Sequence, residues 1–274
     1  MRIQKISCLS VGLFSLTLLA GVVSAQVSDN DTLREVLTPT GTLRAAFLGR
    51  NPVQVRVDPQ TGEVTGPAVD VARQIGGRMG VEVTIQPLSG VPAVIEAVRE
   101  GSADIGFIAH DTTRAQRVAF TQAYIYGHNS YIVRTDSAIE APEQADREGT
   151  RIAAISGNAV DLYLDRALGS AELVSLARGT PDMEAARMLL AGEIDAYAAN
   201  KQRLAVVVES EPRVRVLEGS VLPVEQSIVV SFENEAVVPQ LDLIVDELRS
   251  SGVLQQIVER YNIAGVEAAP RARR

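Results

Sequence analysis

The stretch with the densest chemistry is His110-Asp111-Thr112-Thr113-Arg114, five polar residues that arrive together after the apolar run Ile105–Ala109. A guanidinium offers paired donors to a carboxylate fork, an aspartate accepts from a cation or an amide, and a histidine next to an acid can shuttle a proton. The run before them is apolar enough to be a strand buried on both faces, and in open α/β sheets ligands bind just outside the carboxyl ends of strands. The reading of Arg114 as a carboxylate clamp competes with a plain one, in which it pairs with Asp111 at the surface.

The elements that position these residues repeat. Glu100-Gly-Ser-Ala-Asp104 closes a helix started by Pro92 and opens the strand at Ile105, and Ala191-Gly-Glu-Ile-Asp195 does the same ahead of a short apolar strand ending at Asn200. Leu43–Asn51 and Arg151–Asn158 are both strands running into a glycine turn closed by Asn. Two halves built as strand, turn, helix, then helix, Gly, strand, polar end predict two similar α/β lobes with a cleft between them. The chain crosses between lobes near Ser130–Arg134 and again near Gln226–Phe232, which permits a hinge. Residues 41–131 with 231–265 are expected to form the first lobe and 132–230 the second. Residues 26–40 read as a flexible lead-in with one helical turn around Leu33–Leu37, and 266–274 as a disordered basic tail.

Composition narrows the function classes. The net charge is −8, or −10 without Arg2 and Lys5, and there is no tryptophan. Nucleic acid, an anionic membrane and a carbohydrate-stacking platform are therefore poor partners. Residues 1–25 have a basic start, an apolar run and Val23-Ser24-Ala25 before Gln26, the pattern of a cleaved secretory signal. Cys8, the one cysteine, lies inside that leader, so the expected mature chain has neither disulfide nor thiol ligand. No metal is expected, because His110 and His128 are the only histidines and no acid spacing joins them into a site. Phosphate loops, dinucleotide fingerprints and nucleophile elbows are absent, and no cofactor is expected.

In order and spacing the residues resemble the extracytoplasmic solute-binding proteins of ABC importers, in the branch of polar amino-acid receptors. The resemblance covers Thr42 to Asn262. It rests on Thr65-Gly-Pro-Ala-Val-Asp-Val-Ala72, Glu100-Gly-Ser-Ala-Asp104, Arg114 with Val118-Ala-Phe120 and Tyr124, Ser156-Gly-Asn158, and Ala191-Gly-Glu-Ile-Asp195. It implies a two-lobed α/β fold of the type II periplasmic-binding-protein kind, each lobe a mostly parallel sheet flanked by helices, with two crossover hinge strands. It also implies a monomeric periplasmic receptor that hands a small carboxylate-bearing solute to an inner-membrane permease without doing chemistry.

By that resemblance Arg114 clamps the ligand carboxylate, and the backbone amides of Gly157 and Asn158 add donors at a helix start. Asn51, His110, Asp111, Asn158 and Asn200 complete the expected site. Three departures stand out. Asn200 replaces the acid that in amino-acid receptors holds the ligand ammonium, Asp111 stands where a threonine is usual, and Asn51-Pro52 replaces an aromatic shelf. The alternative on the same scaffold is a periplasmic dehydratase of prephenate or arogenate type, with Asp111 or Glu225 as the acid.

Overall fold

The computed structural model describes residues 29–49 and 51–270. The leader, with Cys8, and residues 271–274 lie outside the described residues. The first lobe begins with helix α1 (Asp29–Leu37) and strand β1 (Leu43–Leu48), then a small hairpin of β2 (Arg56–Val57) and β3 (Val64–Thr65). It continues through α2 (Pro67–Met79), β4 (Val83–Leu88), α3 (Val91–Arg99), β5 (Ile105–Ala109) and a single 3₁₀ turn, Arg114–Gln116. Strand β6 (Ala119–Arg134) leads out of it. The second lobe holds β7 (Arg151–Ile155), α4 (Ala159–Ala167), β8 (Glu172–Leu176), α5 (Asp182–Ala191), β9 (Ala196–Asn200), α6 (Lys201–Ser210) and β10 (Val214–Val216). Strand β11 (Leu222–Val230) returns the chain to the first lobe, where α7 (Val238–Ser250), α8 (Val253–Tyr261) and β12 (Val266–Ala268) finish it.

One sheet runs through both lobes in the order β4-β1-β5-β11-β6-β9-β7-β8. In each lobe three parallel strands stand with the earliest in the middle: β4-β1-β5 in the first and β8-β7-β9 in the second. An antiparallel strand closes each set, β11 on β5 and β6 on β9. Helices cover both faces, so strands such as Ile105–Ile108 and Ile152–Ile155 are buried throughout, which is why they read as continuous apolar runs. The first lobe's larger core centres on Phe47 and Phe107, stacked at 4.8 Å, with Tyr124 edge-on at 5.5 Å.

Each lobe is clasped at the amino end of its sheet by the same pair. In the first, the backbone N–H and guanidinium of Arg44 donate to Asp104 at 2.6–3.1 Å while Asp104 returns its own N–H to the Arg44 carbonyl at 2.8 Å. In the second, Arg151 and Asp195 make the same set at 2.8–3.3 Å. Gly66 ahead of α2 is required by close approach as well as by its φ of +142°, since a Cβ there would stand 2.3 Å from the Gln54 carbonyl oxygen.

The structure differs from expectation at the ends and the crossings. The lead-in is a docked helix, because Leu33 and Leu37 are fully buried against the first-lobe core. The stretch expected to open a disordered tail instead forms β12 on β6, and Ala269 is buried, its N–H on the Tyr124 carbonyl at 3.1 Å. Both crossings fall earlier than expected. Asn129–Ile132 of β6 already pairs with β9, and Gln226–Val229 of β11 pairs with β5, so residues 226–230 sit in the first lobe's sheet.

Candidate functional site

The crossing strands make the floor of the cleft. Ala109, the last residue of β5, lies opposite Gln226 on β11, Leu222 lies opposite Asn129 on β6, and Asn129 lies opposite Asn200 on β9. Strand ends from both lobes are thereby brought onto one line, and a cavity of about 210 Å³ opens above it. The first lobe lines this cavity with Asn51, Val53 and Ala109, the crossing strands with Gly127, Asn129, Val224 and Gln226. The second lobe adds Asn158, Ala159, Val160, Ala199, Asn200 and Arg203. Among the described residues that line it there is no carboxylate, only amides, apolar groups and one guanidinium.

Asn51, Asn158 and Asn200, named from the sequence, therefore meet in one cavity. Asn51 is held by its own turn: its side-chain oxygen accepts the Val53 N–H at 3.1 Å. Behind it the buried Gln54 amide donates to Gln226 at 2.8 Å, which fixes the polar face of β11. Asn200 caps α6, accepting the Arg203 N–H at 3.1 Å.

Arg114 is not among the residues that line this cavity; it adjoins it through Ala109, which does. Its half-buried guanidinium donates to the Ala109 carbonyl at 2.8 Å and has no carboxylate partner among the described residues. Asp111 accepts the backbone N–H groups of Thr113 and Arg114 at 2.9 and 3.1 Å, so it shapes the loop and acts on the guanidinium only through its field, without a side-chain hydrogen bond or ion pair. Burial lowers the Arg114 pKa against the field of Asp111, so this cation is under-solvated and would gain from an anion.

His110 and Asp111 line a second cavity of about 540 Å³, which shares Ala159 and Val224 with the first. Thr112, Thr113 and Glu225 flank them there, facing Leu162, Tyr163, Asp165 and Arg166 of α4. The exposed His110 ring packs edge-on to Phe120 at 4.9 Å. Glu225 is exposed, and its carbonyl accepts the His110 N–H at 2.8 Å.

The helix-start donors expected from Gly157 and Asn158 are already engaged. The Gly157 N–H donates to Asp161 Oδ2 at 2.8 Å and the Asn158 N–H to the Ile155 carbonyl at 3.1 Å. Asp161 sits in the first turn of α4 and folds back on the turn before it, a one-sided back-bond that the spacing Gly157-x₃-Asp161 allowed, since the Asn158 side chain makes no cap hydrogen bond. The residues of this helix start that line the cavity are Asn158, Ala159 and Val160. Gly157 lines a third cavity of about 320 Å³, with Ser156, Arg178, Thr180 and Arg203.

Sequence reasoning passed over Arg203, Gln226 and Asn129. Arg203 donates to Asp182 through Nε at 2.9 Å and Nη2 at 2.5 Å, and the Tyr197 hydroxyl donates to the same carboxylate at 2.5 Å. Burial, with that hydrogen bond to Asp182, raises the Tyr197 pKa. The available signal for Gln226 and Asn129 was a polar break in each β run, Glu225-Gln226-Ser227 and His128-Asn129-Ser130. Among the described residues no cluster of His, Cys, Asp and Glu is placed to hold a metal ion, and no helix is long and apolar enough to cross a membrane.

Comparison with known proteins gives the family and the fold. The family model described as bacterial extracellular solute-binding proteins, family 3, matches residues 43–264. No curated protein sequence matches the chain. Among solved structures, the YckB protein of Bacillus subtilis is similar with a TM-score of 0.65 and 21% identity, covering 87% of this chain and 97% of that one. The amino acid ABC transporter substrate-binding protein AbpA of Streptococcus pneumoniae, bound to L-arginine, gives 0.60 at 19% identity, covering 85% and 99%. An ancestral cyclohexadienyl dehydratase gives 0.55 at 18% identity, covering 85% and 95%. At these identities the likeness is one of fold: two-lobed, type II periplasmic binding.

Proposed function

This chain belongs to the family 3 bacterial extracellular solute-binding proteins, and from that premise we propose that it captures a small, polar, carboxylate-bearing, amino-acid-like solute between its lobes. On this reading it acts in the periplasm after removal of its leader and delivers the solute to an ABC permease. The observation that carries the reading is Arg114: a half-buried guanidinium in no hydrogen bond or ion pair with a carboxylate among the described residues, anchored on the carbonyl of Ala109, which lines a cavity without an acid. A ligand carboxylate supplies the missing counter-charge, and the amides of Asn51, Asn129, Asn158, Asn200 and Gln226 are suited to its neutral polar groups. The strands β6 and β11 supply the hinge on which closure depends.

Screening amino acids and carboxylic acids by thermal shift finds the ligand class, and calorimetry on Arg114→Ala then tests the clamp. The substitution is expected to weaken the best acid by about 2–5 kcal/mol, because it leaves the ligand's charge without its partner. An unchanged affinity removes Arg114 from the site.

The likeness to a dehydratase supports a second reading, in which the bound acid is turned over. Such chemistry needs an acid above the leaving group. Asp111 is committed to two backbone amides, and Glu225 sits in the neighbouring cavity, which favours binding without turnover. Incubation with prephenate and arogenate, followed by ultraviolet absorbance, decides: product formation at catalytic protein concentrations overturns the binding-only reading.

A further inference from the structure

The third cavity has a feature that the central one lacks. It adjoins the central cavity, Asn158 and Arg203 lining both, and Arg178 lines it as well. Arg178 has no hydrogen-bonded or ion-paired partner among the described residues, whereas Arg203 beside it is matched by Asp182. The Arg178 guanidinium approaches Gly157 closely. A Cβ at that position would stand 2.4 Å from Nη2, 3.1 Å from Cζ and 3.2 Å from Nε, and Gly157 has a φ of +77°. The bare glycine leaves this space to the exposed Arg178 side chain, over the turn that opens α4.

No carboxylate lines this cavity among the described residues, and Ser156 and Thr180 flank it. The Thr180 hydroxyl donates to the Ala177 carbonyl at 2.7 Å, which leaves its oxygen as an acceptor. The uncompensated charge is positive. It belongs to the second lobe, whereas Arg114 belongs to the first.

We infer that the annex lined by Gly157, Arg178 and Arg203 takes a second acidic group of the ligand, so that the solute is a dianion-bearing acid held at its two ends by Arg114 and Arg178. This rests on the carboxylate-receptor reading above and sharpens it: the ligand class is that of acidic amino acids and dicarboxylates, not cationic amino acids. Placing one guanidinium on each lobe also makes the second acidic group the one that rewards closure, because a monoacid satisfies the first lobe alone.

The test is calorimetric titration of the full chain with L-glutamate, L-glutamine, succinate and L-arginine, repeated on Arg178→Gln and Arg114→Ala. L-glutamate or succinate is expected to bind about tenfold or more tightly than L-glutamine, a difference of about 1.4 kcal/mol. Arg178→Gln should erase that preference by weakening L-glutamate and succinate about tenfold or more, and should weaken L-glutamine less. Arg178 is exposed, so the substitution is not expected to disturb folding. Tightest binding by L-glutamine or L-arginine overturns the inference, as does an acid preference that survives Arg178→Gln. Those outcomes leave the carboxylate-receptor reading standing provided Arg114→Ala still weakens the bound amino acid. Loss of binding to all four acids, or indifference to Arg114→Ala, overturns both.

Discussion

The two lobes share a frame and differ at its working ends. In both, an arginine on the first strand and an aspartate ahead of the third form the same clasp, with matching backbone returns. The setting of the clasp is not the same. Asp104 is 4% exposed and Arg44 20%, whereas Asp195 and Arg151 are 35% and 37% exposed. At the opposite edge, β5 ends in a loop that carries Asp111 and Arg114, while β9 runs directly into α6 with Asn200 as its cap. A repeated scaffold thus holds unlike strand ends face to face, and the cleft inherits its chemistry from the ends that diverged.

The buried clasp offers the sharpest break in the likeness. Asp104→Ala strips the partner from a guanidinium and from the Arg44 N–H inside the first lobe, and should destabilise the chain by about 3–5 kcal/mol. Asp195→Ala removes the same bonds where water can replace them, and should cost clearly less. Urea denaturation of the two variants measures this, and equal losses would mean that exposure does not govern the clasp.

The strand ends come next in size. Asn200→Asp keeps the cap on α6, since an aspartate accepts the Arg203 N–H as well as an asparagine does. It also adds an acid to a cavity lined without one. Ligands carrying an ammonium near that wall should gain about tenfold relative to those without it, read as a change of rank in a thermal-shift panel. An unaltered rank would mean that Asn200 does not touch the ligand.

What could be read from the chain divides along physical lines. The buried strands and the units of helix end, glycine, acid and apolar run follow from short-range patterns, so Asp104, Asp195, Asn51 and Asn200 could be set at their strand ends, whereas the clasping arginines and the exact crossings depend on strand pairing. The docking of α1 through Leu33 and Leu37 was hidden because a polar stretch with two leucines becomes a helix face only when a core accepts it. Strand β12 was hidden for a similar reason, since its partner Ile125–Gly127 lies far away in sequence. The engagement of the Gly157 amide was legible in principle, because Asp161 is local, but it competes with the ligand role that a helix start invites. Arg203 and Arg178 could not be placed, because which helix face and which turn meet the cleft is a tertiary fact.

The smallest effect separates the lobes by acid. In the second lobe Asp195 lies below the ordinary carboxylate value, burial pushing it up but the hydrogen bonds and charge of Arg151 outweighing that. Asp146 lies low because it accepts the N–H groups of Ala171, Gly169 and Ser170, and Glu211 is held at about 2 by Arg213. In the first lobe burial raises Asp242, despite the Gln122 N–H that it accepts. Groups depressed in the folded state contribute stability that is present above the unfolded value, 3.8 for aspartate, and is lost as pH falls through the folded value. A raised carboxyl behaves oppositely, contributing below the unfolded value and losing that contribution as pH rises, so acid relieves Asp242. Asp58, in the turn of the first lobe's small hairpin, is also low, but it lies off the main sheet. Below about pH 4, then, the second lobe should loosen before the first. Hydrogen exchange corrected for its intrinsic pH dependence should show protection lost from β7 and β8 while β1 and β5 keep theirs; first-lobe strands opening earlier would show that burial, not the acids, ranks the lobes.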